Sequence, residues 1–267
     1  MISRERVLTA LAVQQPDRVP FMEAGIDWEM QVQIMGREDF TPAELAAELG
    51  LDGITVDFLP PLFVETGQTS AHEFIEQPML ASPDDLSRMK FPDPTDPALY
   101  DEAKRVVDTN RGQYAVGARI RLGASSTLMS MGLEGFSYAL LDYPGLVETI
   151  LERYTNWTIQ VVERLPKVGV DFVWSLDDLA YKTGPMFSPQ VFREVFLPRL
   201  RKVADAIHAA GLPWIHHSDG NLMPILDDLL TLGMNGLHPI EPGPMDINEV
   251  KQRYGHRLCL ACFRHNP

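Results

Sequence analysis

The sequence predicts an α/β fold: a (β/α)8 barrel of TIM type whose last βα unit is missing. Three observations lead there. Helical and extended patterns alternate along the chain with short connections after each helix, which means parallel strands joined by crossover helices. The extended stretches end in acids and histidines, as expected where the carboxyl ends of barrel strands form a site. No Gly-rich phosphate fingerprint follows the first strand, which disfavours a doubly wound open sheet. The 267 residues read as one domain, an ordinary size for a barrel.

Ser3 N-caps a first helix carrying Val7, Leu8 and Leu11, which stops near Gln15-Pro16-Asp17. Arg18-Val19-Pro20-Phe21-Met22 reads as a short buried strand with Glu23 at its end. Thr41-Pro42-Ala43-Glu44 is a capping box with Pro at N1, and Gly50 ends the helix it opens. Ile54-Thr55-Val56-Asp57-Phe58 reads as the second strand. Residues 60–94 are Pro-rich and irregular, a lid or wall segment. The third strand is Tyr114-Ala115-Val116-Gly117-Ala118-Arg119-Ile120, followed by a Met-rich helix.

Residues 144–165 repeat apolar side chains at helical spacing, and Gly169 stops them. Asp171-Phe172-Val173-Trp174-Ser175-Leu176 is the fourth strand, running into Asp177-Asp178. Ser188-Pro189 opens a helix that Gly211 and Pro213 close. The fifth strand leads into His216-His217-Ser218-Asp219-Gly220-Asn221, the sixth is Gly236-Leu237-His238-Pro239-Ile240-Glu241, and the seventh is Arg257-Leu258-Cys259-Leu260-Ala261.

A formal net charge of −14 disfavours nucleic acid and anionic membranes as partners, since both surfaces are negative. No apolar run is long enough to span a bilayer, and the N-terminus shows no apolar signal region. Two cysteines make no disulfide framework, so a cytoplasmic protein is expected. Cys259 and Cys262 lie three apart on or beside a strand and so face opposite sides, which makes neither a chelate nor a redox pair.

On an extended strand alternate side chains share a face, so His217 and Asp219 project together at its carboxyl end. They are candidate metal ligands, or an acid/base pair in which Asp219 orients the imidazole. His216 points the other way and reads as structural, and His238 is ambiguous between the mouth and the helix layer. Glu241 and the Asp177-Asp178 pair add acceptors to the same mouth. Two close carboxylates raise one pKa, which makes Asp178 a candidate general acid. Asp177, Tyr181 on the loop that follows, and Glu23 are candidate substrate contacts. Arg119 and Arg121 alternate toward one face and suit either a substrate anion or salt bridges.

Several segments together resemble the uroporphyrinogen decarboxylase superfamily. These are Ser3-Arg4-Glu5-Arg6-Val7-Leu8 with Pro16-Asp17-Arg18-Val19-Pro20, Asp177-Asp178, Gly184-Pro185, Ser188-Pro189 and Phe196-Leu197-Pro198. His217-Ser218-Asp219-Gly220-Asn221, Ile240-Glu241-Pro242 and Asp246-Ile247-Asn248-Glu249-Val250-Lys251 complete the ordered set. The resemblance implies a barrel with its site at the carboxyl mouth, and either decarboxylation of a tetrapyrrole or zinc-dependent methyl transfer with a corrinoid protein. Asp57 falls where the decarboxylases keep an aspartate for pyrrole N–H groups. Their arginine-rich motif after the first strand is replaced by Phe21-Met22-Glu23-Ala24-Gly25-Ile26-Asp27-Trp28-Glu29, which has no arginine and three acids.

The methyltransferase branch has a His-x-Cys zinc motif and a further cysteine near the end of the barrel. Here the motif reads His217-x-Asp219, and Ala261-Cys262-Phe263-Arg264-His265-Asn266-Pro267 stands where a Gly-Asn turn and the eighth strand would follow. The expectation is a methyltransferase-like enzyme acting on a small molecule. Zinc or another divalent metal would lie on His217, Asp219 and Glu241, with a corrinoid-carrying partner. Tetrapyrrole decarboxylation, which needs no cofactor, is the alternative, and a non-catalytic binding protein the second. An unclosed barrel exposes strand edges, so homodimerisation through the gap is expected.

Overall fold

A computed structural model describes residues 1–68, 73–110 and 112–262. Its strands are β1 (Gly53–Asp57), β2 (Val64–Gln68), β3 (Glu73–Pro78), β4 (Ala115–Ile120), β5 (Phe172–Leu176), β6 (Ala180–Tyr181), β7 (Gly184–Pro185), β8 (Trp214–His217), β9 (Gly236–His238) and β10 (Cys259–Leu260). Six of them form one parallel sheet in the order β1-β4-β5-β8-β9-β10, each bonded to the next sheet strand in the chain. Parallel strands paired in chain order are laid side by side as barrel staves are. The tail, residues 263–267, on which the missing unit was partly read, lies outside the described residues.

The two faces of the sheet pack differently. Val116, Ala118 and Ile120 of β4, Val173 of β5 and Trp214 of β8 join the main core beneath the surrounding helices. On the other face Ala115, Phe172, Trp174 and Ile215 pack against Val7 and Leu11 of α1 (Ser3–Leu11), which stoppers the amino-terminal end of the concave face. Gly117 permits this, because a β-carbon there would come within 2.3 Å of the Phe172 ring.

The segment Arg18 to Met22 does not form the first strand expected of it. Its backbone turns instead to Asp52. Phe21 N–H donates to the Asp52 carboxylate (2.9 Å), and the Phe21 carbonyl accepts from Asp52 N–H (2.7 Å). Pro20 has no N–H to extend a ladder. The fully buried Asp52 also accepts from Ser3 Oγ (2.8 Å), Arg6 Nη1 (2.6 Å) and Arg18 Nη1 (2.7 Å), so a carboxylate replaces a strand in tying the N-terminal segment to β1.

Part of the stretch expected to be irregular is an antiparallel hairpin of β2 and β3 with a bulge between Glu65 and Thr66. Short α2 (Trp28–Met35) buries no residue, whereas α3 (Pro42–Leu49) starts on the expected capping box. There Thr41 Oγ1 accepts from Glu44 N–H (3.2 Å), and the Glu44 carboxylate accepts from Thr41 N–H (2.7 Å). Ser188 caps as expected (3.2 Å to Val191 N–H). The helix behind it widens over Phe192–Phe196, where Leu197 N–H reaches back to Phe192 O. Pro198 follows at once and has no N–H to give, which accounts for the wide turn. Among the described residues no helix is long and apolar enough to cross a membrane.

Candidate active site

At the carboxyl ends of β5, β8 and β9, register decides which side chains meet. Leu176 pairs with His217, and His217 with His238. His217 Nδ1 lies 2.8 Å from His238 Nδ1, a separation that requires one proton between the two nitrogens. Burial first, then the His217 charge, pushes His238 down to about 4, so its ring is neutral at pH 7. Its ring meets Trp174 edge-on, 5.1 Å between centroids. His238 thus faces the mouth, which resolves its ambiguity in the sequence. His216 points outward and is fully buried, with Nδ1 2.9 Å from Ser175 Oγ, and burial pushes it down to about 3.

The other nitrogen of His217, Nε2, lies 3.4 Å from Asp178 Oδ1. Burial alone would raise Asp178. The His217 side chain and the Asp219 N–H (3.0 Å) outweigh that and hold the carboxyl below its ordinary range. Asp219 goes the other way: partial desolvation raises it, and the charges of Asp178 and Glu241 add to the rise against the pull of His217. One donor atom each from Asp178, His217 and Asp219 falls within 4.8 Å of the others.

The turn carrying Asp219 is fixed by close approach. Gly220 has φ +86°, and a β-carbon there would lie 2.6 Å from the carbonyl oxygens of both Ala180 and Tyr181. Asn221 N–H donates to Tyr181 O (2.8 Å), and Gly220 N–H donates to Glu241 Oε2 (3.0 Å). Only glycine fits such a position without strain.

The remaining expected residues divide. Glu241 braces the turn through the Gly220 amide, with Lys182 Nζ 3.9 Å from its carboxylate. The donor atoms that lie together are those of Asp178, His217 and Asp219, a set that does not include Glu241. Asp177 is fully buried, not a substrate contact: its two oxygens accept from Leu122 N–H and from Ser125 N–H (2.8 Å), and burial pushes it up to about 6. It anchors the amino end of α5 (Ala124–Met131). Tyr181 contributes its carbonyl to the turn, and its side chain is exposed. Glu23 is exposed and does not line the cavity described next.

That cavity, about 470 Å³, is walled by Arg119, Arg121, Ser125, Leu176, Asp178 and His217, and by the segment Ala24 to Asp27. Such a volume suits a small molecule. Arg119 is ion-paired with Asp57, its register partner, and also donates to Ala24 O. Ser125 has no site role in the sequence pattern, while Arg121 is open there between a substrate anion and salt bridges, and His238 between the mouth and the helix layer. The signal available was the shared depth of His217 and His238 at the ends of adjacent strands.

A parallel α/β sheet with an acid–histidine cluster and a cavity at the carboxyl ends of its strands defines a barrel-type site. A sequence model of the uroporphyrinogen decarboxylase (URO-D) family matches residues 64–261, and the chain belongs to that family. Among solved structures it is similar to a methyltransferase from Methanosarcina mazei, with 20% identity, a TM-score of 0.71, and coverage of 97% of this chain and 82% of that one. That likeness is one of fold. No curated protein matches.

Proposed function

We propose that the chain is a methyltransferase-like enzyme of its family, activating a small molecule at His217. The observation that carries this is the convergence of Asp178, His217 and Asp219 beside a cavity in which Arg119 is already neutralised by Asp57. A tetrapyrrole carrying several carboxylates finds few unpaired cations there. The aspartate that pyrrole N–H groups would need, Asp57, is engaged by Arg119.

The donor set tests the metal that the family branch implies. One imidazole nitrogen and two carboxylates suit a borderline or hard divalent cation. A thiolate site is not formed: Cys259 lies at the amino-terminal start of its strand pairing with Gly236, burial pushes its thiol up, and Cys262 is exposed. His217 Nε2, Asp178 and Asp219 would hold the cation, which would supply Lewis-acid chemistry to the substrate.

The protein's own groups do the rest. His238 meets His217 Nδ1, which fixes the ring and leaves Nε2 directed at Asp178 and the cavity. Asp178, which the His217 side chain and the Asp219 amide hold below the ordinary carboxylate range, does not suit the general-acid role expected of it. Its carboxylate serves as a donor to the cation or, with no metal bound, as the acceptor of a proton leaving a substrate N–H, O–H or S–H. Leu176 and Met129 contribute apolar wall. The partner this branch implies is a corrinoid-carrying protein.

Elemental analysis of the purified chain tests the reading. Near-stoichiometric divalent metal is expected, falling by about tenfold or more in His217→Ala, as loss of a ligand to a three-donor site implies. Metal-free wild-type protein that takes up no zinc, manganese or cobalt on dialysis sinks the metal-assisted mechanism.

A further inference from the structure

Two guanidinium groups line the cavity, and they are in opposite states. Arg119 spends its donors on the Asp57 carboxylate and the Ala24 carbonyl. Arg121 makes no side-chain hydrogen bond or ion pair with any described residue. Its backbone, by contrast, is clamped on both sides. Thr158 Oγ1 donates to the Arg121 carbonyl (2.9 Å), and the next amide, Leu122 N–H, is held by Asp177. A half-buried charge on a fixed stem with no acceptor among the described residues is arranged for an acceptor brought from outside.

The nearby acids are not that acceptor. Asp177 is fully buried with both oxygens taken by backbone amides, and Asp178 turns to His217 and the Asp219 amide. In the same wall Ser125 Oγ accepts from Asp178 N–H (3.0 Å) and donates to no described residue, so its hydroxyl hydrogen is available beside Arg121. Leu176, Met129 and Ile26 give the apolar part of the lining. One unpaired guanidinium balances one negative head, and Asp27 and Asp178 in the same lining repel a second.

Resting on the reading of this mouth as the substrate site, we infer that the cavity takes a small organic anion with a single charged head and a short apolar body. Arg121 is its specificity-determining contact. The competing account makes Arg121 a distant counter-charge for Asp177, whose carboxyl its field lowers. That account predicts a change in stability with no change in ligand preference.

The probes are butanoate, 1-propanesulfonate and propyl phosphate, each compared with the uncharged butanamide. They are titrated into the full-length chain by NMR or calorimetry at low salt. At least one anion is expected to bind about tenfold or more tightly than butanamide, the size of one charge-assisted contact, and the ranking identifies the head group. Arg121→Gln abolishes the preference, and Arg121→Lys keeps the charge and retains part of it.

Equal binding of the anions and butanamide overturns the inference. So does an Arg121→Gln protein that melts like wild type and still prefers the anion, or one in which both probes weaken equally. Metal content of Arg121→Gln separates the two claims: the variant keeps the metal content of wild type while the anion preference is lost, so either reading can fail while the other stands.

Discussion

Asp52→Asn is expected to lower the melting temperature by roughly 10 °C, corresponding to about 3 kcal/mol for a chain of this length. The exchange keeps shape and volume, so no cavity contributes. What changes is that an NH₂ group now faces donors on every side: Ser3 Oγ, Arg6, Arg18 and Phe21 N–H all point at this one buried carboxylate. The amide keeps one acceptor oxygen: with it toward Ser3 and Arg6 the NH₂ faces Arg18 Nη1 and Phe21 N–H, and turned the other way the NH₂ faces Ser3 Oγ and the buried Arg6. Differential scanning calorimetry with refolding checks the value, and an unchanged melting temperature would remove Asp52 from the account of the fold.

The pH dependence has a definite sign. Burial alone would raise Asp52, but the Phe21 amide, the Ser3 hydroxyl and the two guanidinium groups hold its carboxyl below the ordinary range. The folded chain therefore binds this proton less readily than the unfolded chain. The stability it confers is fully present above the usual aspartate pKa of about 4 and is lost as pH falls through the lower, folded value. Wild type and Asp52→Asn should converge in stability toward that acid limit.

The second large effect is expected at Asp177→Asn, about 2 kcal/mol of stability lost, the cost of leaving a buried donor facing a donor. Its two oxygens accept from Leu122 and Ser125 N–H, and an amide can satisfy only one of those with its oxygen. The consequence reaches the cavity, because these amides follow Arg121 in the chain and position Ser125. The variant should lose both stability and the preference for anionic probes, whereas Arg121→Gln loses the preference alone. If Asp177→Asn binds butanoate like wild type, the segment from Arg121 to Ser125 is positioned by something other than this carboxylate.

Much of the fold was legible from local pattern. Six of the expected strands form, because buried parallel strands are runs of Val, Ile, Phe and Trp bounded by turn residues. The caps at Thr41 and Ser188 were readable because capping chemistry involves residues three apart. The Arg18 to Met22 segment failed for the opposite reason: its backbone partner is a side chain, Asp52, and no periodicity records that. The β2–β3 hairpin escaped because its strands are polar and interrupted by glycine and proline.

At the site, His217 and Asp219 share a neighbourhood, as strand alternation suggested. Asp219 nevertheless lies beyond the end of β8 and owes its position to the turn at Gly220. Whether Asp178 or Glu241 completes the cluster depends on which strands are neighbours and where each loop returns, and that is set by the whole sheet. That Arg121 finds no acceptor among the described residues likewise depends on what Asp177 and Asp178 are already doing.

In most barrels the loops at the catalytic rim vary one at a time, which lets a single stave acquire a new specificity. Here two of them are welded. The backbone at Gly220 rests on the carbonyls of Ala180 and Tyr181, and Asn221 is bonded to the second of these. The β6–β7 hairpin and the turn bearing Asp219 must therefore travel as one piece. An insertion in the hairpin would relocate a carboxylate some forty residues away in the chain. Loop grafts intended to retarget this scaffold will have to carry residues 179–186 and 218–221 together, from the same donor, or forfeit the position of Asp219.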